Sequence, residues 1–325
     1  MNIGWILCGP RDIPSARIEG YNLHKWLNCH DHNSKLLYTP SAFTHGLDEF
    51  PLLKGIDIII FQKVFQGNTP YVVNICKESG IKVVYYITDW ISGFDFICQS
   101  ADLIIISSDF MKSSMKKEYQ NKIVILKDAY ETPKDLYKHD YSTDKVKVTW
   151  YGREYGYEVS QNLRPLMEDL GYGYKTISNH LKSDKQWGEE TIAQDLINSD
   201  IVVLPYNIDL ISNKCKDENK LVQAMVLGLP CIVSALPSYV ELHEKYVSYY
   251  SEGIINSEPF FIANNLEGWK NSLVSLGPKE TRKMVGESAR ECVKDAYNID
   301  TIGTQLVSIL GGLYDNRKES KSEID

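Results

Sequence analysis

The feature that most limits what this chain can fold into is a rhythm. Short, almost wholly apolar runs recur along it, each separated from the next by a stretch of helical period. In the first 128 residues these runs are "IGWILCG" (Ile3–Gly9), "KLLY" (Lys35–Tyr38), "IDIIIFQKV" (Ile56–Val64), "KVVYYIT" (Lys82–Thr88), "ADLIIISS" (Ala101–Ser108) and "KIVILKD" (Lys122–Asp128). An unbroken apolar run suits a parallel strand covered on both faces, whereas a strand with one wet face would alternate. Strands separated by helices make βαβ units, and their repetition makes a doubly wound sheet.

The rhythm then stops and starts again. "ETPKDLYKHDYSTDK" (Glu131–Lys145) is polar and has no apolar period, so it reads as a linker. Beyond it come "VKVTWYG" (Val146–Gly152), "YKTISN" (Tyr174–Asn179), "DIVVLPY" (Asp200–Tyr206) and "PCIVSA" (Pro230–Ala235). Helical patterns fall near 15–28, 70–79, 162–170, 189–198, 218–227, 266–276, 278–296 and 302–314. At 325 residues the chain is long enough for two cores. The expected fold is therefore α/β: two Rossmann-like, doubly wound parallel-sheet domains facing a central cleft. The first covers residues 1–131, with a linker at 132–145. The second covers 146–301, followed by a helix at 302–316 and a polar tail at 317–325. Ligands of such sheets bind beyond the carboxyl ends of the strands, so both domains can serve one cleft.

Composition removes several classes. The net charge of -8 argues against broad nucleic-acid binding. Seven scattered cysteines with no C-x-x-C pair suit reduced thiols in a cytoplasmic protein. No run approaches the ~18 apolar residues of a membrane span, and the N-terminus has no signal-peptide pattern. The expected location is cytoplasmic, or peripheral at a membrane. Cys29, His30 and His32 lie close together, but no second ligand cluster has a recognisable spacing, so no metal site is assigned. Nor does an Asp-x-Asp pair occur. No G-x-G-x-x-G follows the first strand and no P-loop motif is present, which sets aside dinucleotide oxidoreductases and P-loop ATPases.

The strongest local signal is "KDENKLVQAMVLGLPCIVSALPSYVEL" (Lys216–Leu242). Leu221, Ala224 and Met225 stand at core spacing on one face of a helix that Gly228 can end. Lys216, Asn219, Lys220 and Gln223 gather on a neighbouring stripe at its start, where the helix dipole favours an anion. A solvated helix start would look the same in isolation.

Asp200–Leu242 as a whole resembles the sugar-nucleotide segment of the retaining GT-B glycosyltransferases of "group 1", the family-4-like set. The order is strand, Pro-containing loop, helix "N-[KR]-x-x-x-A-x-x-x-G-x-P", strand, then a loop leading to a Glu. "GPRDIPSARIEGYNLHKWL", "DIIIFQK", "YYITDW" and "ADLIIISSDFM" resemble the first-domain elements of the same group, so the likeness spans nearly the whole chain. It implies a hexosyltransferase-like enzyme taking a nucleotide-diphosphate sugar as donor substrate, with retention and without metal or cofactor. It also implies that the last helix packs back on the first domain.

In that reading Arg153, from "WYGREYG", and Lys220 are the catalytic cations that stabilise the departing diphosphate. Gly152, Asn219, Gln223, Lys216, Ser238, Tyr239 and Glu241 are donor-binding. Gly9, Pro10, Ser15, Arg17 and Asp89 are acceptor-side. Trp187 and His180 are weaker candidates for base or acceptor contact, and Ser107 and Ser108 end a strand where a helix cap would look the same. The sequence departs from the family where a Lys often follows the Arg, since this chain has Glu158 there and Lys220 is left to supply the second cation, and again at one pair of positions. Where many members carry two Glu eight residues apart, this chain has Cys215 and Gln223. An inactive nucleotide-sugar-binding or partner-binding subunit, and an epimerase or hydrolase on the same fold, therefore remain as alternatives. The acceptor stays open among a glycan, a lipid-linked sugar, a protein and modified DNA.

Overall fold

The computed structural model describes residues 1–322, with side chains to residue 315. It divides into two compact units. The first holds Met1–Ala129 and the C-terminal helix from Ile299, and the second is Tyr130–Asn298.

In the first unit the apolar runs become β1 (Asn2–Leu7), β2 (Asn33–Tyr38), β3 (Ile58–Gln62), β4 (Lys82–Tyr86), β5 (Leu103–Ile106) and β6 (Ile123–Ile125). They form one six-stranded sheet, ordered β2-β1-β3-β4-β5-β6, and every pairing is parallel. All five residues of β3 are buried, as a strand covered on both faces requires. The order reverses at β1 and β3, where crossovers leave on opposite faces and a crevice opens at the carboxyl edge. The first helix, α1 (residues 14–29), is not regular. Its second turn, Arg17–Tyr21, is π-helical, and there Arg17 and Glu19 are buried. Single π turns inside α-helices often mark functional sites.

The C-terminal helix, α2 (Ile299–Ser322), is longer at both ends than the sequence pattern suggests. Ile302, Leu306 and Leu310 join the core of Trp5, Leu23 and Trp26, and the Trp26 indole N–H donates to Asp300 Oδ1 at 2.8 Å. The expected polar tail at 317–325 is helical through Ser322, and its side chains lie outside the described residues.

In the second unit β7 (Lys147–Gly152), β8 (Gly173–Ser178), β9 (Lys185–Gln186), β10 (Ile201–Leu204), β11 (Cys231–Val233) and β12 (Phe261–Ile262) form a parallel sheet ordered β9-β8-β7-β10-β11-β12. This is the doubly wound 3-2-1-4-5-6 order, with its switch point between β7 and β10. One core, on Leu221, Met225, Tyr239 and Cys292, and a second, on Trp150, Leu163, Met167 and Trp269, fill its helix-to-sheet contacts. Residues 131–145 carry no helix or strand, in keeping with their polar composition, but they are fastened to this unit. Tyr141 is buried and donates to Gly228 O at 2.7 Å. The half-buried Lys138 pairs with the buried Asp200 at 3.3 Å.

Helix α3 (Asn219–Val226) ends at Gly228, whose φ of +72° makes the left-handed cap that L side chains avoid. Helix α4 (Lys279–Val293) crosses there so closely that a Cβ on Gly286 would stand 2.1 Å from Gly228 O. Backbone cannot yield as a side-chain tip can. Gly286→Ala is therefore expected to destabilise the protein by about 3 kcal/mol, the upper range for overpacking. Urea denaturation checks this as a lowered midpoint at unchanged slope.

Candidate functional site

The second unit's switch point gathers the residues that the sequence singled out. Strand β7 ends at Gly152, followed by the exposed Arg153, and β10 is followed by Pro205 and Tyr206. Helix α3 begins beside them, because Leu221, Val222, Ala224 and Met225 must bury on the sheet while Asn219, Lys220 and Gln223 remain half-buried. Its first turn follows Asp217, whose Oδ1 accepts from Asn219 N at 3.1 Å.

The Lys220 ammonium lies 5.5 Å from the centre of the Tyr206 ring. It is also 2.8 Å from where a Cβ on residue 152 would stand, so a side chain at 152 would displace it. The Lys220 backbone is fixed too, since the buried Tyr151 hydroxyl donates to Lys220 O. Lys216 stands 5.4 Å from the Tyr155 ring centre. Burial opposes ionisation of the Tyr206 phenol, but the Lys220 and Lys216 charges outweigh it and hold the phenol below its ordinary range. Its neighbour Tyr239, fully buried and close to Tyr206, is pushed well above. Two ammonium groups and the first-turn N–H groups of α3 beyond Asn219 thus share one strand edge. That arrangement favours a multiply charged anion. A cavity of 250 Å³, lined by Asn162, Pro205, Tyr206, Ser234, Asn264 and Trp269, adjoins it.

Other expected donor residues are placed differently. Gln223 is engaged, its Oε1 accepting from Glu131 N at 3.1 Å and Thr132 Oγ1 at 3.0 Å. It ties residues 131 and 132 to α3 instead of presenting that oxygen to a ribose. Ser238, Tyr239 and Glu241 are not in a loop but open the fifteen-residue helix α5 (Pro237–Ser251). Pro237 at its first position suits a helix start, and Tyr239, Leu242 and Tyr246 bury one stripe. Ser238 and Tyr239 are each 1% exposed, and Glu241 is half-buried. Cys215 is buried.

Sequence reasoning overlooked Glu218, Tyr206 and Tyr297. Glu218 is 2% exposed at the N-cap of α3 and accepts from the Tyr297 hydroxyl at 2.6 Å. The surplus of 21 tyrosines, one of them directly after "LP" at the end of β10, was the available signal.

In the first unit the expected acceptor-side residues lie around the β1/β3 crevice. Gly9 is buried and Pro10 O accepts from Ile13 N at 3.0 Å, closing the turn into α1. Ser15 Oγ is 4.0 Å from Cys8 Sγ. Arg17 is not a solvated helix residue: it is 2% exposed and donates to Arg11 O at 3.3 Å. Asp89 caps no helix, and its Oδ2 accepts from Lys63 Nζ at 2.7 Å. Ser108 does cap a helix, accepting from Met111 N. His180 stacks on Tyr157 at 4.1 Å and Trp187 packs on the second unit's core. Among the described residues no three His, Cys, Asp or Glu side chains converge as metal ligands, and no helix is long and apolar enough to cross a membrane.

No protein-family model matches the chain, and no curated protein matches it. Solved structures do. HepE from Anabaena, in complex with UDP and glucose, is 12% identical with a TM-score of 0.61, over 96% of this chain and 99% of that one. WaaG, a glycosyltransferase involved in lipopolysaccharide biosynthesis, is 13% identical with a TM-score of 0.62, over 95% and 99%. An alpha-glucosyltransferase in complex with UDP and a 13-mer DNA containing a HMU base is 12% identical with a TM-score of 0.64, over 96% and 99%. The likeness shows the GT-B fold.

Proposed function

We propose that this chain is a glycosyltransferase that takes a nucleoside diphosphate sugar on its second unit and passes the sugar to a hydroxyl acceptor recognised by its first. The observation that carries the reading is the Lys220 ammonium, set between Tyr206 and Gly152 at the switch point of β7 and β10. In the reaction the bond from the anomeric carbon to the diphosphate breaks, and the electron pair leaves with the diphosphate. A bond forms from the acceptor oxygen, whose proton passes to the departing diphosphate. The charge that grows on the leaving group is met by Lys220, Lys216, Arg153 and the first-turn N–H groups of α3 beyond Asn219, an electrostatic role that needs no metal. Retention at the anomeric carbon and the absence of a cofactor belong to this proposal, as does a cytoplasmic location. Among the acceptor classes, the net charge of -8 weighs against DNA and toward a glycan, a lipid-linked sugar or a protein.

The test is release of UDP from UDP-glucose, with UDP chosen because HepE and the alpha-glucosyltransferase were solved with it. Release is expected to persist in excess EDTA. Its complete loss in chelator would move the charge-stabilising role to a metal. A second reading has one observation in its favour. Cys215 is buried and Gln223 Oε1 is taken by residues 131 and 132, so the position of the missing Glu pair offers the sugar no carboxylate. A donor-binding subunit without turnover would bind UDP tightly and release none from any nucleotide sugar.

A further inference from the structure

His45 lies at the carboxyl edge of the first sheet, across the ends of β1 and β3. The residue before it, Thr44, donates its N–H to Cys8 O at 2.8 Å, one residue past β1. The His45 ring reaches the other strand, with Nδ1 2.7 Å from Lys63 O, one residue past β3. His45 thus bridges the switch point, the place where sheets of this kind take ligands. Its own carbonyl is held as firmly, accepting from Phe65 N at 2.9 Å and from Gln66 N at 2.8 Å.

Lys63 is fixed in its turn. Its φ of +58° is left-handed, which is uncommon for a residue with a side chain and is kept where the surroundings determine it. Lys63 N donates to Tyr86 O at 2.9 Å, and the ammonium lies 3.2 Å from Glu19 Oε1 and 2.7 Å from Asp89 Oδ2. The carbonyl that faces His45 is therefore set in place. A carbonyl oxygen only accepts, so the ring nitrogen facing it carries the proton. In the neutral imidazole Nε2 then keeps its lone pair, because the bond made by one ring nitrogen sets the state of the other. Among the described residues that nitrogen has no hydrogen-bond partner, and His45 is half-buried.

The ring also belongs to an aromatic ladder. Its centre is 5.0 Å from that of the buried Phe65, and Phe43, 51% exposed, meets it edge-on at 4.9 Å. An exposed phenyl ring beside a fixed hydrogen-bond acceptor matches the two things a sugar offers, an apolar C–H face and hydroxyl donors.

We infer that His45 is an acceptor-binding residue, its Nε2 accepting a hydrogen bond from a hydroxyl group of a saccharide acceptor whose ring packs on Phe43. The inference rests on the glycosyltransferase reading and names the acceptor class. The bond orients the saccharide, and no proton is transferred to His45.

The test uses the full chain saturated with UDP, on an array of immobilised neutral mono- and oligosaccharides. His45→Asn and His45→Gln are compared. An asparagine amide N–H stands where Nδ1–H stood and keeps the bond to Lys63 O, but nothing replaces Nε2. A glutamine carbonyl reaches the Nε2 position and gives up that bond. Wild type is expected to bind at least one saccharide, and His45→Asn to bind it about tenfold more weakly at an unchanged melting temperature. His45→Gln is expected to melt lower but to keep most of the binding. A merely structural His45 predicts the reverse order. Phe43→Ala, at an exposed position, should weaken the same saccharide several-fold, and it supplies the test where a His45 variant does not fold. Nitrogen-15 NMR of the free protein at about pH 8.5 should find the His45 proton on Nδ1. Wild type that binds no saccharide, the reverse order of the two His45 variants, unchanged binding in Phe43→Ala, or a proton on Nε2 overturns the inference. UDP affinity, measured separately, distinguishes this failure from that of the functional reading: UDP binding without saccharide binding sinks only the acceptor inference.

Discussion

Lys220→Ala is expected to lower turnover roughly a hundredfold, about 3 kcal/mol in the transition state, while stability moves by no more than about 0.5 kcal/mol. The two effects separate because the side chain does little for the fold. The bond from Tyr151 is to the Lys220 backbone and survives the change. A cation in the first turn opposes the helix dipole, so its removal gains a few tenths of a kcal/mol, offsetting the lost attraction to the Tyr206 ring. The ammonium beside Gly152 is, in contrast, where a departing diphosphate would gather charge. Lys220→Arg should retain part of the activity, since a guanidinium also meets a phosphate. A melting curve paired with UDP release checks both halves. Unchanged turnover in the alanine variant would return Lys220 to the surface of an ordinary helix.

Glu19→Ala is expected to cost about 3–5 kcal/mol of stability, because it leaves the buried Lys63 with only the half-exposed Asp89 and strips acceptors from Gln62 and Thr88. Burial pushes the Glu19 carboxyl upward and works against charge on Lys63. For Lys63 the Asp89 and Glu19 carboxylates outweigh burial, so it is held protonated above the ordinary lysine range. A raised lysine contributes stability that is complete below its unfolded value and is lost only as pH rises through the folded one. The same sign holds for the raised Glu19 carboxyl that the substitution removes, so the deficit should be largest in mild acid and shrink as pH rises between about pH 5 and pH 9, with Lys63 protonated throughout. Urea midpoints across that range measure it. A loss under about 1 kcal/mol would mean that the pair is solvated.

Both the doubly wound fold and the switch-point lysine were legible in the sequence, for physical reasons. A strand buried on both faces must be apolar at every position, so "IDIIIF" and "DIVVLP" announce themselves. The N-K spacing of α3 is likewise local, set by a helix that must bury Leu221 and Met225 and turn Lys220 aside. Helix α5 was missed because its buried stripe is Tyr239, Leu242 and Tyr246 among charged residues, and tyrosine does not declare which face it seeks. The Glu19–Lys63–Asp89 chain was missed because its members lie on three different elements and meet only when the sheet assembles. The engagement of Gln223 was not legible for a related reason. Nothing local tells that its amide oxygen is taken by residues 131 and 132, which lie more than ninety positions away.

Thermal unfolding in chelator, with UDP and a panel of other nucleoside diphosphates and their sugars, applied to wild type and Lys220→Ala side by side, tests the central claim most directly. One nucleoside diphosphate at roughly 100 times its dissociation constant should stabilise wild type by about 2.7 kcal/mol, and Lys220→Ala should lose most of that gain while melting normally without ligand. A panel that leaves wild type unmoved, or that stabilises both proteins equally, would contradict a diphosphate site at the switch point of the second sheet.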